Sequence, residues 1–140
     1  MNFGDIAIVS LISFAANGAL GATWDCTVRA VYQNETGELV KRTGKINLVA
    51  DVGDRFVLDE ATGVLKHSTK SGDSASATLT FNIWQRGTLD NGTAAVYLFK
   101  GPVANPAMLF KVFTYLHSDA KPFTYVDETD EVATGTCNMK

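Results

Sequence analysis

From Thr23 onward apolar and polar residues alternate with a period of two, the spacing of half-buried β-strands rather than helices. In the first run Trp24, Cys26, Val28, Ala30 and Tyr32 fall on one side, and Asp25, Thr27, Arg29, Val31 and Gln33 on the other. Asn34-Glu35-Thr36-Gly37 ends it with a turn in which Gly37 suits a positive φ. A second strand region follows from Glu38 to Ala50, with a break expected at Gly44 and with Ile46, Leu48 and Ala50 on one face. Asp51-Val52-Gly53-Asp54 turns the chain into Arg55 to Leu58, and Glu60-Ala61-Thr62-Gly63 forms a hairpin-like link to Val64 and Leu65. The polar stretch from His67 to Ser76 predicts an exposed loop.

Strand character returns from Ala77 to Gln85, with Ala77, Leu79, Phe81 and Ile83 on one face and Thr78, Thr80, Asn82 and Trp84 on the other. Asn91-Gly92 signals a hairpin. The next pair is Ala94 to Lys100 and Met108 to His117, separated by the proline-containing stretch Gly101 to Pro106. Met108, Phe110, Val112 and Leu116 line one face of the later strand. Ser118 to Pro122 turns into Phe123 to Val126, and a polar turn from Asp127 to Asp130 leads to Glu131 to Cys137.

The pattern predicts an all-β, single-domain antiparallel meander of seven to nine strands with no amphipathic helix. A closed or nearly closed barrel is preferred over a sandwich, because closure removes sheet edges.

Residues 1–21 break the pattern. Asp5 is their only charged residue, and Ile6 to Ala16 is apolar apart from two serines. Ala19-Leu20-Gly21 has the small-x-small form of a signal-peptidase site, which places a cut after Gly21; a cut after Ala22 would put Leu20 where a small residue is preferred. The reading is a cleavable export signal over 1–21 and a β-domain over 22–140 with no membrane span, because the apolar run is shorter than the roughly 20 residues that cross a bilayer. The opening MNFGD lacks the usual basic residues, and the alternative is an ordinary buried helix.

Export changes how the two cysteines are read. Cys26 and Cys137 permit one pairing, which would tie the first strand to the last and contribute roughly 4–5 kcal/mol by chain entropy. The alternative is two buried thiols in a reducing compartment. Cα atoms of bonded cysteines lie within about 7 Å, so the two end strands must be neighbours or face each other.

Composition adds exclusions more than functions. Hydrophobic residues make up 46% and charged residues 19%, which fits a globular chain. A net charge of −3 with scattered Lys and Arg argues against nucleic acid. Two cysteines and two distant histidines, His67 and His117, lack the spacing of a zinc site, and no cofactor motif is present. Asp127, Glu128, Asp130 and Glu131 fit no EF-hand loop and read as a solvated acidic turn. The sequons at Asn34 and Asn91 matter only in a glycosylating host.

Trp84, Arg86, Tyr97, Tyr115 and His117 form the candidate binding set, with Thr80, Asn82 and Lys111 nearby in the strand pattern. Facing a barrel interior they would suit a small ligand with one polar end; facing outward they would make a partner patch. Ordinary strand aromatics are the plain alternative.

An apolar leader, one early cysteine, a strand meander and a terminal Thr134-Gly135-Thr136-Cys137 together resemble small periplasmic β-proteins, including barrel-type lysozyme inhibitors. The Ser-Gly-x-x-Tyr motif of those inhibitors is absent: Asp73-Ser74-Ala75 follow Ser71-Gly72. The functional expectation is a periplasmic or secreted, non-catalytic domain that binds a small molecule or a protein partner. The alternatives are a small exported hydrolase using His67 or His117 with the acidic turn, and a structural envelope component.

Overall fold

The computed structural model describes residues 21–42, 50–70, 77–85, 95–99, 108–127, 129 and 131–140, without the side chains of 77, 83, 84 and 95–99. The export signal expected over 1–21 lies outside them apart from Gly21, as do Arg86, Asn91-Gly92 and the stretch from Gly101 to Pro106.

Among the described residues, nine strands make one antiparallel sheet: β1 (Thr23–Glu35), β2 (Glu38–Lys41), β3 (Arg55–Asp59), β4 (Val64–Ser68), β5 (Ala77–Gln85), β6 (Ala95–Phe99), β7 (Leu109–Val112), β8 (Lys121–Val126) and β9 (Glu131–Met139). Successive strands from β3 to β9 pair with one another, and β1 pairs with both β3 and β9. The hydrogen-bonded pairings therefore return to their start, as a curled, barrel-like sheet requires. Trp24 has Leu58 on one side and Met139 on the other, whereas Tyr32 has Lys41 and Val132. β3 and β2 thus lie end to end along one edge of β1, opposite β9.

The strands form where alternation permits one face to be buried. Trp24, Cys26 and Val28 of β1, Phe56 and Leu58 of β3, Leu65 of β4 and Phe81 of β5 all point inward. Phe110 and Val112 of β7, Phe123 and Tyr125 of β8, and Ala133 and Cys137 of β9 complete the core. Phe56 is the hub: its ring centroid lies 5.9 Å from Phe110, 6.1 Å from Phe123 and 5.1 Å from Tyr125.

Cys26 and Cys137 are directly opposed across β1 and β9, joined by a disulfide and completely buried. Two residues away, Gly135 allows the strands to approach closely, since a β-carbon there would stand 2.0 Å from Thr27 O.

Three expectations are corrected. The register between β1 and β9 shifts between Val28 and Ala30, so Val31 turns inward and Tyr32 outward, where strict alternation had the reverse. The strand expected from Met108 to His117 ends at Val112. There Phe113 N–H donates to Pro122 O, while Thr114 and Leu116 N–H donate to Val112 O and Phe113 O. These short-range bonds fold 113–120 into turns, so Tyr115 and His117 do not lie on a strand. Finally, His67 belongs to β4 rather than to a loop.

Candidate functional site

The described members of the candidate binding set gather beyond β7. Lys111 Nζ sits 4.8 Å from the Phe113 ring centroid, within cation–π range. Phe113 meets Tyr115 edge to face at 6.2 Å. Both rings are half-buried, while Leu116 and His117 are exposed. Two polar contacts shape this ledge: Lys121 Nζ donates to Leu116 O at 2.6 Å, and Ser118 Oγ to Ala120 O at 2.7 Å.

The remaining members are placed by backbone only. Trp84 occupies the register shift between Ile83 and Gln85 on β5, and Tyr97 stands opposite Ile83 on β5 and Phe110 on β7. Their side chains and the whole of Arg86 are outside the described residues. The structure thus brings Tyr115 and His117 onto one segment.

A second cluster escaped sequence reasoning. His67 Nε2 is hydrogen-bonded to Asp54 Oδ2 at 2.9 Å, and its ring stacks on Phe56 at 4.7 Å. Asp54 is buried: Oδ2 also accepts the Asp51 amide and Oδ1 the Lys70 amide, both at 2.9 Å. The carboxylate orients the imidazole in the manner of a base-orienting acid, and it also ties together the chain segments on either side of β3 and β4. The one sequence signal was the turn Asp51-Val52-Gly53-Asp54, whose last residue would have to be recognised as a long-range acceptor.

Of the acidic turn expected to be solvated, Asp127 and Glu131 are buried, while Glu128 and Asp130 lie outside the described residues. Asp127 Oδ1 accepts from Thr129 N–H and Thr129 Oγ1 at 2.8 Å and from Glu131 N–H at 3.0 Å, which closes the turn locally. Asp127 Oδ2 has no hydrogen-bond partner among the described residues. Glu131 Oε1 accepts the Ala50 amide at 3.3 Å. Burial raises the Glu131 pKa above the ordinary glutamate value, reinforced by Asp127 and Asp51 and opposed by the Ala50 amide and Arg42.

At the opposite end of β1, Arg55 engages both carboxylate oxygens of Asp25, and Lys140 Nζ reaches the same carboxylate at 2.6 Å. Hydrogen bonding to Arg55, with a smaller contribution from Lys140, outweighs partial burial and lowers the Asp25 pKa to about 2.

Among the described residues no three His, Cys, Asp or Glu side chains converge as a metal site. No helix among them is long and apolar enough to cross a membrane. No model of a known protein family, no curated protein and no solved structure matches the chain.

Proposed function

We propose that this chain is an exported, non-catalytic β-domain, periplasmic or secreted, that binds a protein partner through the ledge of Lys111, Phe113, Tyr115, Leu116 and His117. The observation that carries this reading is the contrast between the inner and outer aromatic side chains among the described residues. Phe56, Phe110, Phe123 and Tyr125 pack on one another inside the curled sheet at ring separations of 5.1–6.2 Å. The outer ledge instead offers two aromatic rings, an exposed leucine and the Lys111 ammonium, a composition suited to protein contacts. The buried disulfide supports an oxidising compartment.

The test is capture from envelope extract with the wild-type chain and with Phe113→Ser/Tyr115→Ser, their circular dichroism spectra being compared first. A partner retained by the wild type and lost by the folded variant is the expected result. Equal capture by both sinks the ledge. A thermal shift with small molecules and no protein capture would favour the small-ligand alternative, and concentration-dependent self-association the structural one.

The His67–Asp54 pair favours a second reading, a hydrolase in which Asp54 orients His67 as a general base. Hydrolysis of activated esters that is abolished by His67→Ala and retained by His117→Ala would support it. No turnover by the wild type would count against it.

A further inference from the structure

Several observations meet at the beginning of β1. The Ala22 amide donates to Glu60 Oε2 at 2.9 Å, and the Glu60 amide donates to Ala22 O at 3.0 Å. Ala22 is thus held at both its nitrogen and its carbonyl by one residue of the β3–β4 turn. One position earlier, Gly21 presses on that same turn, and a β-carbon at 21 would stand 2.5 Å from the Ala61 nitrogen. Independently, Ala19-Leu20-Gly21 is the small-x-small signal that marks the bond between Gly21 and Ala22.

We infer that the Gly21–Ala22 peptide bond is hydrolysed by a signal peptidase during export, and that Glu60 receives the α-ammonium group this creates on Ala22. Water is the co-reactant. Its hydroxyl goes to the Gly21 carbonyl carbon as the C–N bond breaks, the leader departs as a carboxylate, and the Ala22 nitrogen gains two protons to become an ammonium. No electrons are transferred. A peptide amide offers Glu60 one proton and no net charge. An ammonium at the same 2.9 Å offers three protons and a full charge, turning a neutral-donor contact into a charge-assisted one.

The geometry also separates the two cleavage positions that the sequence allows. Hydrolysis after Ala22 would discard the residue that makes both contacts with Glu60. Hydrolysis after Gly21 keeps them and removes the residue crowded against Ala61. Among the described residues, Asp59 is opposite Thr23 and the Lys140 amide donates to Thr23 O at 2.9 Å. The Lys140 ammonium is engaged with Asp25. Glu60 is the carboxylate within hydrogen-bonding distance of the Ala22 nitrogen.

The inference rests on the export part of the proposed function, and intact mass measurement of full-length chain expressed with access to the envelope separates the two. A recovered chain that begins at Ala22 and carries the disulfide is the expected result. An exported, oxidised chain beginning at Thr23 or elsewhere overturns the cleavage assignment and leaves export standing. An intact chain beginning at Met1 with two free thiols overturns both. The role of Glu60 is read from the titration of the isotopically methylated α-amine in the processed protein. Its midpoint should lie above the ordinary range of about 7.7–8.0, and Glu60→Gln should lower it by about half a unit or more. Glu60→Asp, one methylene shorter, is the second variant and should fall between the two. A midpoint indifferent to both substitutions overturns the ion pair.

Discussion

The two stretches of β1 on either side of its bulge, residues 23–28 and 30–35, belong to one strand and share β9 as a neighbour, yet they are held differently. The first runs between β3 and β9, with Trp24, Cys26 and Val28 buried and a disulfide across the seam. The second runs between β9 and β2, and every residue of β2 is exposed. Leu39 and Val40 contribute little to the core, and the ion pair of Arg42 with Glu35 at 3.3 Å lies at the surface, where such pairs are worth at most about 1 kcal/mol. The first stretch is stabilised by contacts distant in sequence. The second depends on a local hairpin with β2 and on its pairing with the start of β9. Stability along this strand follows what lies beside it rather than how well it forms a strand.

Removing the disulfide with Cys26→Ala/Cys137→Ala is the strongest way to break the contrast. It should cost roughly 4 kcal/mol in denaturant unfolding, because the bond closes a sequence separation of 111. A loss below about 1 kcal/mol would mean that pairing and packing alone hold the seam. Gly135→Ala attacks the same seam by overpacking, with a β-carbon forced against Thr27 O, and should cost about 2–3 kcal/mol while the disulfide still forms.

In the second stretch the largest effect is expected at Glu131, opposite Gln33. Its folded pKa is raised, so the fold binds this proton more tightly than the open chain does. The contribution of Glu131 is therefore favourable below the unfolded value of about 4.3 and is lost as pH rises through the folded value. Glu131→Gln keeps an oxygen for the Ala50 amide and should raise stability at neutral pH, an advantage that disappears as the pH falls below the ordinary glutamate range. Thermal melts across that range check the sign; equal melting temperatures at every pH would refute it.

The smallest effect is expected at the hairpin tip. Thr36 and Gly37 take φ of 53° and 92°, the signs a two-residue type I′ turn requires, and a β-branched residue is disfavoured in that region. Thr36→Asn should stabilise by about 0.5 kcal/mol, with amide exchange slowed in β2 and not in β3. Slowed exchange in both would show that the two stretches respond as one unit.

Much of the fold was legible because burial with a period of two leaves its mark in the order of residues. The inward positions of Trp24, Cys26, Val28, Phe81, Phe110 and Val112 follow from their strand patterns. The pattern failed where short-range hydrogen bonds competed with the sheet. The bulge of β1 reversed Val31 and Tyr32, and the turns after Val112 took Tyr115 and His117 off their expected strand. Only part of the candidate site is described, and its ledge arose from those turns rather than from a continuous strand face.

By itself, the sequence determined the strand class, the segments that alternate, and the single possible disulfide, because each depends on neighbouring residues or on a count of two cysteines. The tertiary structure alone decided that Cys26 opposes Cys137 in register, that Asp54 lies under His67, and that Asp127 and Glu131 are buried. Charge and polarity predict exposure only while water is the best available partner. Backbone amides of Lys70 and Ala50, brought in from elsewhere in the chain, replaced water at Asp54 and Glu131, and no local pattern encodes that exchange.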